Sequence, residues 1–182
     1  MRAPVPWNER ELHFGRPLDE LPVLMERIQG THARLAALLR EQPLERVHLR
    51  VEGRWSVIEH AAHLIALQDR FEPRAEDFER QRERLCEIRL DGQDAELRRH
   101  RVRRIGDVLE EFKLKRQAFA LRVDAFAHSV LEHVAVHPCK GRPMRAVDML
   151  HWIAEHDDHH LATIRHLLNT SLPEGRPAIW PG

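Results

Sequence analysis

Two histidines four residues apart, His156 and His160, bracket the run His156-Asp157-Asp158-His159-His160. On a helix, an i, i+4 pair projects from consecutive turns toward one point, and two imidazoles that converge in this way form a grip for a metal ion. The H-E-x-x-H zinc proteases use the same spacing, but here the intervening residues are Asp157, Asp158 and His159, so the glutamate base of that motif is absent. A metal centre needs at least a third protein ligand. His60 and His63 offer one from a second segment, on one flank of its apolar stripe, and helical geometry alone does not choose between them.

Histidine is abundant in this chain, 14 residues against 2 Cys and no Tyr, so position must separate ligands from bystanders. At 100° per residue, Leu150, Ile153, Leu161, Ile164 and Leu168 define one apolar stripe. His160 falls inside it, His156 at its edge and Asp157 near its middle. His151, His159 and His166 fall on the opposite side and are expected to face solvent. A buried carboxylate at position 157 needs a partner. It either orients a ligand ring or pairs with an arginine such as Arg116, which lies in the apolar seam of another helix. Arg116 could meet a substrate anion, although an arginine in such a seam more often snorkels or pairs. His60 is a candidate pocket residue or a rim histidine. His137 sits at a Pro-Gly turn, which it would stabilise, and nothing near Cys139 supplies an activating base.

These side chains require helices to position them. Leu24, Ile28, Thr31, Leu35 and Leu38 follow 4-3-4-3 spacing and predict a helix over about 18–39. Ser56 and Glu59 form an S-x-x-E capping box that opens a second helix, expected to end near Pro73. Residues 72–104 are dense in charges of both signs, with Gly92 as a break, and read as a solvated helix and connection; the basic cluster Arg98 to Arg104 belongs to that face. Phe112, Phe119 and Phe126, with Leu109 and Val123, mark a third helix over about 105–126. A fourth covers about 144–168. Pro173, Gly175, Pro177 and Pro181 make the tail non-helical. The expectation is an all-α fold, a four-helix bundle in one domain spanning 1–182, with its core at 18–168 and its tail at 169–182. Such bundles build their sites in the core from facing helices.

Composition narrows the function. With 29 Lys plus Arg against 29 Asp plus Glu, the net charge is zero with His neutral, which argues against nucleic acid as a partner and against attachment to anionic membranes. No apolar run of 18 residues predicts a transmembrane helix. Two lone cysteines without a C-x-x-C pattern suggest reduced thiols and a cytoplasmic protein.

Two segments carry a family resemblance. Trp55-Ser56-Val57-Ile58-Glu59-His60-Ala61-Ala62-His63-Leu64 resembles the W-S-x-x-E-x-x-x-H-L motif of the DinB/YfiT-like superfamily. His137-Pro138-Cys139-Lys140-Gly141, followed by the helix ending in His156-x-x-x-His160, resembles that family's H-P-x-x-G and H-x-x-x-H elements. The resemblance spans roughly 18–168 and is weakest over the charge-dense stretch. It implies a four-helix bundle, often a homodimer, and one divalent metal held by His63, His156 and His160. It leaves His60, Asp157 and Arg116 as surrounding or pocket residues and names no catalytic residue. Three His ligands leave a coordination position open, where zinc, nickel or iron would acidify a water or a low-molecular-weight thiol. The expected function is thiol transfer, a related isomerisation or hydrolysis on a small molecule. The alternative is a non-catalytic bundle that binds metal or a partner in a stress response.

Overall fold

The computed structural model describes residues 3–11, 13–51, 53–89 and 92–170. Four long helices dominate: α1 (Leu21–Leu39), α3 (Val57–Glu79), α5 (Ile105–Asp124) and α7 (Ala146–Asn169). Shorter ones lie between them: α2 (Leu44–His48), α4 (Gln93–Arg98) and α6 (His128–Glu132). The expected tail beyond residue 170 lies outside the described residues.

Around the bundle, α1 packs on α7 and α5, and α3 packs on α7 and α5. Consequently α1 lies diagonal to α3, and α5 diagonal to α7. The core has two apolar halves. Leu24 and Ile28 of α1, Phe71 and Phe78 of α3, Phe119 and Val123 of α5, and Leu150 and Ile153 of α7 fill one. Leu35, Ile58, Leu64, Phe112, Leu161 and Ile164 fill the other. The order in which each helix visits the halves makes α1 parallel to α7 and α3 parallel to α5, the two pairs running oppositely. Since α3 and α5 are consecutive long helices and parallel, the chain between them must travel back along the bundle. The part of the charge-dense stretch beyond Glu79 is this crossover.

Local chemistry sets the ends. At the start of α3 the expected capping box is formed: Glu59 Oε2 accepts from the Ser56 amide at 2.8 Å, and Ser56 Oγ accepts from the Glu59 amide at 3.4 Å. At the start of α7, Asp148 accepts the Arg145 amide at 2.8 Å through Oδ2 and the Arg16 amide at 2.8 Å through Oδ1. That second bond moors the N-terminal segment to α7.

Two expectations need correction. The second long helix does not end near Pro73; it continues to Glu79. Pro73 is exposed, so the carbonyl it leaves unbonded can face water, while Phe71, Ala75 and Phe78 prolong the buried stripe. The basic cluster is not simply a solvated face. Arg101 pairs with Glu59 at 2.7 Å, Arg103 with Glu111 at 2.6 Å, and His100 is buried. The fold also holds a small antiparallel ladder, β1 (Ala135–Val136) with β2 (Pro143–Met144). Two residues per strand are too few to show alternation in a sequence. The ladder brackets the Pro-Gly turn, where Gly141 adopts φ of 61° and His137 Nδ1 accepts from the Cys139 and Lys140 amides at 3.2 and 3.1 Å. His137 therefore stabilises its turn, as expected. No described helix is long and apolar enough to cross a membrane.

Candidate metal centre

Facing turns of α3 and α7 bring three imidazoles together. His63 Nε2 lies 3.1 Å from His156 Nε2, and His160 Nε2 lies 3.1 Å from the same atom. All three side chains are buried, at 4–5% exposure, and among the described residues they form the one cluster with metal-ligand geometry. The donor set fits a divalent cation. Nitrogens arranged tetrahedrally about zinc at its usual bond length stand about 3.3 Å apart, close to the spacing seen. Burial, followed by the neighbouring His60 and Arg70, pushes His63 down to about 3. Burial first, and then the other histidines, lowers His156 and His160 well below the ordinary imidazole value. All three are therefore neutral near pH 7, the form that ligates metal.

A surrounding layer engages the opposite ring nitrogens. The Gln93 amide lies 2.5 Å from His63 Nδ1. His60 Nδ1 lies 2.9 Å from His160 Nδ1. His156 Nδ1 is buried with no hydrogen-bond partner among the described residues. When Nε2 of His63 ligates, Nδ1 carries the proton, and the Gln93 amide must turn its oxygen toward it. Burial, with His159 next, lowers His60 to about 4, so it too is neutral and can accept from His160. Two indoles close the sides. Trp7 meets His156 edge-on at 4.9 Å between centroids, and Trp55 lies 5.0 Å from His63 and 6.4 Å from His160.

Asp157 and Arg116 join each other, and among the described residues neither shares a hydrogen bond with the three imidazoles. Arg116 donates to both Asp157 oxygens, at 2.7 and 3.1 Å, and Thr31 Oγ1 donates to Asp157 Oδ2 at 2.8 Å. Of the two roles open to Asp157, the structure shows the interhelical pair. Of those open to Arg116, it likewise shows pairing. His151, His159 and His166 are half-buried and do not face solvent freely. The N-terminal segment lies along this side of α7: Trp152 Nε1 donates to His13 O at 3.0 Å, Arg10 donates to Glu155 O at 3.3 Å, and the Trp7 ring centroid reaches 6.0 Å from His159. Periodicity within α7 carries no information about a segment that packs over it.

Sequence reasoning missed Gln93 and Trp7. Gln93 lies on the crossover, where mixed charges hide any periodicity, and Trp7 lies in a stretch with no helical pattern. The one usable signal was a lone tryptophan in a polar N-terminus.

The described residues thus form a four-helix bundle in which three buried histidines converge from two facing helices. The DinB superfamily matches residues 27–164, and the chain belongs to it. Its fold is similar to that of YfiT from Bacillus subtilis, described as a probable metal-dependent hydrolase with an unusual four-helix bundle topology. The TM-score is 0.74 at 13% identity, over 87% of this chain and 91% of that one. No protein of curated function matches this sequence.

Proposed function

We propose that this chain is a metal-dependent enzyme in which His63, His156 and His160 hold one divalent cation, zinc, nickel or iron. The observation that carries the reading is the convergence of three buried, neutral Nε2 atoms. Bound there, the cation would lower the pKa of a water or a low-molecular-weight thiol at its open position. The chain's own residues orient and shield. Gln93 fixes the ring and tautomer of His63, and His60 does the same for His160. Trp7 and Trp55 pack apolar rings against the imidazoles and so limit the water around them, which strengthens electrostatic interactions inside. Among the described residues no carboxylate joins the three-histidine cluster, so neutral imidazoles leave the cation's positive charge available to an anionic thiolate or hydroxide.

The description of YfiT supports water as the activated species, and the motif resemblance supports the thiol. The reading includes a small-molecule substrate and a cytoplasmic setting, which the free thiols of Cys86 and Cys139 support. The homodimer implied by the resemblance is part of it, and light scattering tests that point.

The decisive experiment measures metal content in untagged protein and in His63→Ala, His156→Ala, His160→Ala and His159→Ala. The expected outcome is about one metal per chain in the parent and in His159→Ala, and loss in the other three. Absence of stoichiometric metal from the parent would overturn the site. Metal-loaded protein is then offered a panel of thiols with electrophiles, and of esters and amides. Metal-dependent turnover of either class assigns the reaction, and its absence throughout leaves a metal-binding bundle.

A further inference from the structure

Each long helix contributes one polar residue to a layer that separates the two apolar halves of the core. Thr31 lies between Ile28 and Leu35, Gln68 between Leu64 and Phe71, Arg116 between Phe112 and Phe119, and Asp157 between Ile153 and Leu161. None of the four is more than 3% exposed. Because α5 and α7 are diagonal, the Arg116–Asp157 pair passes through the centre of the bundle. Thr31 adds a third bond to the same carboxylate from α1.

Such a layer is a poor device for stability. Well-packed apolar residues in place of a buried ion pair are often neutral or stabilising. Here both amide atoms of Gln68 and Nε of Arg116 are buried with no hydrogen-bond partner among the described residues, which adds cost. What the layer supplies is direction. Apolar contact is non-directional, and the buried face of α7 is broad, with Val147, Leu150, Ile153, Ala154, Leu161 and Ile164 all enclosed. Hydrophobic burial alone would therefore tolerate some rotation of this helix about its axis. A bidentate guanidinium–carboxylate pair has one geometry. Asp157 follows His156 directly and precedes His160 by three residues, so fixing the direction of one side chain fixes all three.

We propose that the Arg116–Asp157 pair, with Thr31, is a positioning device for the three-histidine centre: it sets the rotation of α7 so that His156 and His160 meet His63. The inference rests on the metal-centre reading above. In this arrangement α7 is held from α5 and α1 through the polar layer and from α3 through the histidines. The ion pair orders the imidazoles before any metal arrives, and affinity rises because less of the binding free energy is used in ordering them.

The test separates positioning from stability. The double variant Arg116→Met with Asp157→Leu replaces the pair by apolar side chains, and Thr31→Val removes the hydroxyl that bonds Asp157, along with its bonds to Arg27 O and Arg34, without stranding a charge. Each is followed by circular dichroism and thermal unfolding, by cobalt(II) titration against a competing chelator, and by the visible absorption of bound cobalt(II), which reports ligand geometry. The double variant is expected to stay helical with a melting temperature at or above that of the parent. Its cobalt(II) affinity should fall on the order of 10–100-fold, with an altered spectrum. Thr31→Val should lose affinity by a few-fold at unchanged helicity. Parental affinity and spectrum in a folded double variant would overturn the proposal. Should that variant not fold, unchanged affinity in Thr31→Val overturns it instead. A parent that binds no cobalt(II) overturns the metal-centre reading itself, and the inference with it.

Discussion

At the residue scale, the protonation of histidine governs the site. His63 is held to about 3, and His60 and His137 to about 4, in each case first by burial. The unfolded chain takes up these protons near 6.5. Below that pH the unfolded state binds more protons than the folded one, so acidification removes stability until the folded values are reached. Urea midpoints of the metal-free protein should therefore be nearly level above about pH 6.5 and fall steeply from there toward pH 4. His137→Asn keeps an acceptor for its turn and lies apart from the metal centre; it should make that fall shallower. A second prediction concerns the layer around the ligands. Gln93→Leu leaves His63 in place but takes away the group that fixes its ring, and chelator competition should show metal affinity about 10-fold lower.

Among the elements, α3 carries the most consequence because it presents His60 and His63 within two turns of its start. Its N-cap is a junction of several partners. Burial opposes ionisation of Glu59, but the bonds from Ser56 and Arg101 and the charge of Arg50 outweigh it and hold the carboxyl below its ordinary range. Ser56→Ala removes one capping acceptor and should cost about 1 kcal/mol in urea unfolding. The crossover acquires a function at this scale. Arg101 returns it to the start of α3, and Gln93 meets His63 on the way. A stretch that reads as solvated charge is thus tied to the site at two points.

For the whole molecule, the pairing of helices is what makes a centre out of scattered histidines. α3 and α7 are neighbours, so His63 meets His156, whereas α5 and α7 are diagonal, so Arg116 reaches Asp157 only through the core. Both outcomes depend on how the connections thread. The connections after Leu39 and Asp124 span the diagonals at opposite ends, and the one after Glu79 returns along the bundle.

The sequence by itself determined the four apolar stripes, the capping box at Ser56 and Glu59, the turn at His137 and the i, i+4 geometry of His156 and His160. These are local properties: helical periodicity and hydrogen bonds between near neighbours require no knowledge of the rest of the chain. The end of α3 was misjudged because a proline is a local signal, while the buried stripe that carries the helix past it depends on what α3 packs against. Only the tertiary structure decided that Asp157 pairs with Arg116, that Gln93 and Trp7 border the imidazoles, and that His151 and His159 lie under the N-terminal segment. Periodicity states which face of a helix is buried but not which helix it is buried against, and the partners of a buried charge are set by that second choice.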